Sequence, residues 1–212
     1  QTDALRALAE LVGPSFQAAV SLILKTSDPL IVTGLGKSGL IARKAAATLS
    51  STGTKAVFMH PVESLHGDLG IVGADAVLLA LSKSGHTEEL VRFVGHFRRV
   101  GGGVVAVCEA GDSPLAELAD VVLPIPARPE AGPLALAPTT STLMMMALCD
   151  ALAMVLLDAR GFDEHQFARF HPDGRLGRRL LTRAADLMHG GAELPVVRTA
   201  VTFNELLLEM TG

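Results

Sequence analysis

Ala76-Val77-Leu78-Leu79-Ala80-Leu81-Ser82-Lys83-Ser84-Gly85-His86-Thr87-Glu88-Glu89 is the stretch that decides the fold. Six apolar residues run into a turn rich in hydroxyls and glycine, which is how a strand buried in a parallel sheet reads. Leu90, Val91, Val94 and Phe97 then recur near helical spacing. Such a strand–turn–helix joint aims backbone N–H groups and hydroxyls at one spot, where the helix dipole favours an anion. Ser82, Ser84 and Thr87, in one turn with Gly85, can each donate a hydrogen bond to phosphate oxygens. Glu89 lies one turn further in, placed for proton chemistry. The joint reads as a site for a phosphorylated small molecule.

Working outward, the same alternation repeats. Residues 3–26 carry helix-period apolar positions broken at Gly13-Pro14, and Leu30 to Thr33 reads as a strand. The turn at 34–39 opens a helix to about Ser51, and Ala56 to Met59 is a second strand. After the strand at 76–81 and its helix to about Val100 come a strand at Val104 to Cys108, a short helix capped by Ser113, and a strand at Val121 to Ile125. The hydroxyls of Thr139 to Thr142 are a natural N-cap for a helix to about Arg160. These elements predict an α/β fold, a doubly wound five-stranded parallel sheet with helices on both faces. Ligands of such sheets bind at the carboxyl ends of the strands, where the turns at 34–39 and 82–87 both fall.

Composition narrows the function. The 212 residues suffice for one substantial α/β core and the start of another domain. Net charge is -4 with scattered Lys and Arg, which argues against nucleic acid or an anionic membrane as main partner. No apolar run reaches the roughly 18 residues that span a bilayer; Leu143 to Leu157 comes closest and is interrupted by Asp150. Cys108 and Cys149 sit in apolar surroundings and read as reduced core residues, and the N-terminus has no basic-then-apolar signal arrangement. A cytoplasmic protein is expected. The start at Gln1 rather than Met suggests a piece of a longer chain.

Several candidates need weighing against plain structural roles. Gly34-x-Gly36-x-x-Gly39 is formally a dinucleotide fingerprint, yet the acidic ribose partner expected about 20 residues on is replaced by Met59-His60. Lys37 stands in the first turn of a helix, where the dipole opposes a cation. A nearby phosphate or developing oxyanion would repay that placement. Glu88 and Glu89 suit any helix start, but their position beside an anion turn favours a catalytic role for one of them. His66 lies in a loop with Asp68, and Glu130 among prolines reads by itself as a solvated loop carboxylate. His171 suits the C-terminus of a short helix at 163–170. Met144 to Met146 read as core or subunit packing. No His or Cys residues cluster at metal-ligand spacing, so neither a metal nor a cofactor is expected.

Taken together, Gly34-Leu-Gly-Lys-Ser-Gly39, His66-Gly-Asp-Leu-Gly70, Ser82-x-Ser84-Gly85-x-Thr87, Leu136-Ala-Pro-Thr139 and His171-Pro-x-Gly174-x-Leu-Gly177 resemble the sugar isomerase (SIS) domain. The D-arabinose-5-phosphate isomerase group is the most similar. The resemblance runs from about residue 5 to 184, which implies a SIS domain at residues 1–184. From there Ala185-Asp-Leu-Met188, Glu193-Leu-Pro-Val-Val and Thr202-Phe-Asn-Glu-Leu-Leu look like the opening of a truncated CBS-domain pair, residues 185–212. The resemblance implies aldose–ketose interconversion of D-arabinose 5-phosphate and D-ribulose 5-phosphate through a cis-enediol, for lipopolysaccharide biosynthesis, by a homotetramer. Carried over by motif, Lys37, His66, Glu89, Glu130 and His171 are catalytic. Ser38, Ser82, Ser84, Gly85 and Thr87 bind substrate. Lys83 stands where such domains commonly carry Asn, His86 where Glu is usual, and Val62 and Asp173 where Gly is usual. The alternatives are a different phosphosugar isomerase, a sugar-phosphate sensor without catalysis, and a nicotinamide oxidoreductase.

Overall fold

The computed structural model describes the chain apart from residues 110, 189, 191–193, 195 and 212. It divides into two compact units, residues 1–167 and 168–212. The first begins with α1 (Thr2–Glu10) and α2 (Pro14–Lys25), separated at Gly13-Pro14, where proline sits in the first turn of the second helix. The sheet and its crossovers follow as β1 (Leu30–Gly34), α3 (Gly36–Ser51), β2 (Ala56–Phe58), β3 (Leu78–Leu81), α4 (Glu88–Phe97), β4 (Val104–Cys108), α5 (Pro114–Glu117), β5 (Val121–Pro124) and α6 (Thr140–Ala159). All strand pairings are parallel, in the order β2-β1-β3-β4-β5. The fold class is the expected one. The strand read at 76–81 is shorter: residue pairing with β1 begins at Leu78 opposite Ile31, although the carbonyl of buried Val77 already accepts the Ile31 N–H at 2.8 Å.

Alternation along the strands divides the core between the two faces. Val32, Leu79, Leu81, Val105 and Val107 pack with Ala42 and Leu49 of α3 and Met144, Met145, Leu148 and Leu152 of α6. Ile31, Leu78, Ala80, Val104 and Ala106 pack with Leu90, Phe93, Val94 and Phe97 of α4. Each fully buried Leu or Phe contributes about 1.5–3 kcal/mol by leaving water. The methionine run is therefore core at Met144 and Met145, which are fully buried. Cys108 and Cys149 are buried thiols, and burial pushes Cys149 up to about 12.

One sequence expectation needs correction. As a helix, α6 has 20 residues and a mean hydropathy of 1.8, long and apolar enough to cross a membrane despite Asp150. Half of it is buried in the fold, with nine residues packed inward. Asp150, on its outer side, pairs with Lys44 of α3.

The second unit contains α8 (Arg175–Leu181), α9 (Ala184–Leu187) and α10 (Phe203–Thr211), after α7 (Glu164–Phe170), which spans the division. The sequence boundary at 184/185 falls inside this unit. Glu193 and Pro195, on which part of the CBS resemblance rests, lie outside the described residues. His171, half-buried, donates its N–H to the carbonyl of Ala168 and sits just before α8. A Cβ at Gly177 would stand 2.0 Å from the His171 carbonyl oxygen, so glycine there lets α8 close against the His171 turn.

Candidate active site

The strand order reverses between β1 and β3, and a cleft of about 270 Å³ opens at their carboxyl ends. It is lined by Lys37 and Ser38 from the β1–α3 turn, by Ser82, Lys83, Ser84 and Thr87 from the β3–α4 turn, and by Ser141 from the start of α6. The glycines of the first turn serve packing. A Cβ at Gly39 would stand 2.7 Å from the Gly34 carbonyl oxygen, and one at Gly34 3.0 Å from that of Leu81. Their role here is to bring α3 close to the strand ends, which places Lys37 and Ser38 on the cleft.

The β3–α4 turn holds its shape through its own groups. Ser82 Oγ accepts from the Gly85 N–H at 3.1 Å and lies 3.3 Å from Thr87 Oγ1. Ser84 Oγ accepts from the His86 N–H at 3.2 Å. Gly85 has φ of +71°, and a Cβ on it would come within 2.1 Å of Ser113 Oγ. Thr87 is the N-cap residue of α4, yet its side chain makes no capping bond. The first N–H groups of α4 have no partner within the helix and open toward this turn. Hydroxyls, helix N–H groups and two lysines thus surround one small volume, an arrangement suited to a phosphate dianion.

Glu130 corrects the sequence reading of a solvated loop carboxylate. It is 7% exposed. Oε2 accepts the N–H groups of Thr139 at 2.8 Å and Ser141 at 3.2 Å, while Oε1 accepts the Ser141 hydroxyl at 2.5 Å and Lys83 Nζ at 2.9 Å. The expected hydroxyl cap is also replaced: Thr139 makes no side-chain capping bond, and Glu130 satisfies the opening of α6 instead. Burial alone would raise this carboxyl's pKa. Lys83, the Ser141 hydroxyl and the two backbone N–H groups outweigh burial and hold it well below the usual carboxylate range. The hydrogen bond to Glu130 in turn raises Lys83.

Sequence reasoning missed Glu109. It follows β4, beside β3 in the sheet, and its N–H donates to the Lys83 carbonyl at 2.9 Å. Its Oε1 is buried, 3.9 Å from Lys83 Nζ, and has no hydrogen-bond partner among the described residues. Burial raises its pKa, Lys83 opposes that, and Glu130 adds to it. The signal available was an acidic residue at the carboxyl end of a strand next to the switch point.

Of the expected residues, Lys37, Ser38, Ser82, Ser84 and Thr87 share the cleft wall, and Glu130 is joined to it through Lys83 and Ser141. Glu89 is exposed in the first turn of α4 and is not among the lining residues. His66 is exposed at the end of a 3-10 turn, Glu63–His66. Its loop contributes Asp68 to a second cleft, with Arg43, His60 and Glu63. His171 belongs to the second unit. Among the described residues no group of three His, Cys, Asp or Glu could hold a metal ion.

A parallel sheet of this order, with hydroxyl-rich turns around a cleft at its switch point, defines a doubly wound α/β domain with a cleft suited to an anion. The sequence profile of the SIS domain matches residues 23–155, and the chain belongs to the SIS domain family. It is similar to arabinose 5-phosphate isomerase KdsD of Pseudomonas aeruginosa, at 44% identity over 211 residues, the whole of this chain and 65% of the relative. Arabinose 5-phosphate isomerase KpsF of Escherichia coli is 41% identical over 213 residues, 64% of its length. The chain thus spans a little under two thirds of these curated relatives. The structure of E. coli CFT073 c3406 in complex with arabinose 5-phosphate superposes with a TM-score of 0.75 at 33% identity, covering 81% of this chain and 93% of that one.

Proposed function

We propose that this chain is the isomerase domain of an aldose–ketose isomerase that interconverts D-arabinose 5-phosphate and D-ribulose 5-phosphate. The observation that carries the reading is the cleft at the β1/β3 switch point, with its five hydroxyls, the α4 N-terminus and Lys37 and Lys83. The 44% identity to KdsD and the likeness to a structure holding arabinose 5-phosphate support it. The phosphate docks on the Ser82–Thr87 turn. Lys37, on the opposite wall, stabilises the oxygen that becomes negative as the enediolate forms. Either His66 or His171 assists opening of the cyclic sugar.

The base that moves the proton between C2 and C1 is Glu89. Glu130 is the poorer choice, because the Ser141 hydroxyl and the Thr139 and Ser141 N–H groups, which stay with it whatever Lys83 does, favour its charged form and leave it little affinity for a proton. Glu130 acts instead as a fixed hydrogen-bond acceptor beside the cleft. The test is incubation with D-arabinose 5-phosphate in D₂O without added metal, followed by NMR. The reading expects D-ribulose 5-phosphate with deuterium at the exchanging carbon. Binding without conversion would make the domain a sensor, and conversion of a different phosphosugar alone would reassign the substrate.

A further inference from the structure

Lys83 is placed between two carboxylates with unequal hold on it. Its Nζ touches Glu130 Oε1 at 2.9 Å, and Glu109 Oε1 waits at 3.9 Å, buried and without a hydrogen-bond partner among the described residues. A buried carboxylate oxygen left unpaired costs free energy, and such an exception in an otherwise satisfied site calls for an explanation. A displacement of the ammonium by about 1 Å would bring it within hydrogen-bond reach of Glu109. That displacement would also free one of the acceptor positions of Glu130 Oε1, which keeps the Ser141 hydroxyl, on the side of the cleft, because Lys83 lines the cleft and Glu130 behind it does not. Lys83 is about one third exposed, so its ammonium has room to move, whereas the Glu130 side chain, at 4% exposed, is pinned by Thr139 and Ser141.

Resting on the isomerase reading above, we propose that Lys83 is a movable counter-ion with two seats. It sits on Glu130 when the cleft is empty and on Glu109 when a phosphosugar is bound, and its departure opens Glu130 to a hydroxyl of the substrate. Glu109 is then a positioning residue that acts through Lys83 and touches no substrate. Its unpaired oxygen is the vacant second seat. The arrangement keeps a buried carboxylate neutralised while the cleft is empty and keeps the lysine paired after the substrate has replaced it.

Two measurements test this. In a double-mutant cycle with D-arabinose 5-phosphate, Glu109→Gln removes the receiving charge, so Lys83 stays on Glu130; kcat falls roughly tenfold with KM little changed. With Lys83→Met there is nothing to move, so adding Glu109→Gln to it costs no further kcat. Equal losses from Glu109→Gln in both backgrounds, or no loss in either, would overturn the proposal. The second measurement is independent of turnover: a crystal structure of Glu130→Gln, which weakens the first seat while keeping its shape. Lys83 Nζ within about 3.2 Å of Glu109 Oε1 is the expected result, and Lys83 still on residue 130 or pointing into the cleft would refute the two seats. If the wild type fails to convert any phosphosugar, the isomerase reading falls, and the Glu130→Gln structure still judges the lysine.

Discussion

Lys83 Nζ stands 2.9 Å from Oε1 of Glu130, whose other oxygen receives the Thr139 and Ser141 N–H groups, so a single carboxylate joins the β3–α4 turn to the opening of α6. The β3–α4 turn and the 130–142 loop are therefore tied together through one side chain. Fixing two loops by one buried anion orders both walls of the cleft before any ligand arrives.

Removing that anion should cost stability in a pH-dependent way. Glu130→Ala strips a cap from α6 and orphans several donors, for about 1–2 kcal/mol at neutral pH. The folded carboxyl titrates below its ordinary value of 4.5, so on acidification the unfolded chain takes up the proton first. Its stabilisation is whole above about pH 4.5 and fades as the pH falls toward the folded value. Urea midpoints of wild type and Glu130→Ala, compared from about pH 7 to about pH 3, should draw closer toward the acid end without meeting, because the folded carboxyl is still ionised there. A gap that stays constant across that range would contradict the assignment.

Glu109 has the opposite sign. Its folded pKa lies above 4.5, so its favourable contribution belongs to the protonated form and is lost as the pH rises through the folded value. At about pH 7 the partly buried carboxylate, whose Oε1 has only Lys83 at 3.9 Å and no hydrogen bond among the described residues, is a liability, and Glu109→Gln should raise the urea midpoint there while leaving it little changed near pH 3. A variant more stable yet slower than wild type would mark Glu109 as kept for activity. An unchanged or lower midpoint at neutral pH would count against this account of its burial.

Much of this was legible in the sequence because the periodicities are local. The apolar runs at 30–33, 76–81 and 104–108, each followed by a turn and a helical pattern, fix a parallel sheet, and the two glycine- and hydroxyl-rich turns fix the end at which ligands bind. Glu130 misled because its partners, Lys83 and Ser141, are 47 and 11 residues away, and a carboxylate among prolines carries no local sign of burial. Glu109 carried one sign, an acidic residue at the carboxyl end of a strand, but its meaning comes from parallel pairing of β3 with β4, which places it beside Lys83. Thr139 looked like a cap, and no pattern within 139–142 could announce that a carboxylate nine residues earlier takes that place.

The turn itself should be intolerant of a side chain at Gly85. Alanine there meets a positive φ of +71° and a Cβ 2.1 Å from Ser113 Oγ, whose hydroxyl caps α5. The strained conformation alone costs about 1–3 kcal/mol, and relief by movement would pull Ser82 and Thr87 out of register. Gly85→Ala is expected to lower the unfolding temperature and raise KM for the sugar phosphate. Combining it with Ser113→Gly, which removes both the Oγ and the Cβ that would stand 2.1 and 2.5 Å away and leaves the φ, should recover part of the stability. No recovery would place the whole effect in the backbone.

Glu89 and Lys37 separate proton transfer from charge stabilisation. If Glu89 is the base, Glu89→Gln lowers kcat by about 10²–10⁴-fold. It also abolishes deuterium wash-in from D₂O, with affinity for the phosphosugar retained, because the Ser82–Thr87 turn is untouched. Lys37→Met should lower kcat by about 10²–10³-fold through loss of the cation at the developing oxyanion, with wash-in slowed in parallel. Near-normal turnover in Glu89→Gln would return the base role to Glu130 in spite of its depressed pKa. In that case Glu130→Gln, otherwise expected to retain exchange at a reduced rate, would be the variant that loses it. The two carboxylates therefore make opposite predictions in one isotope experiment, which can assign the proton transfer between them.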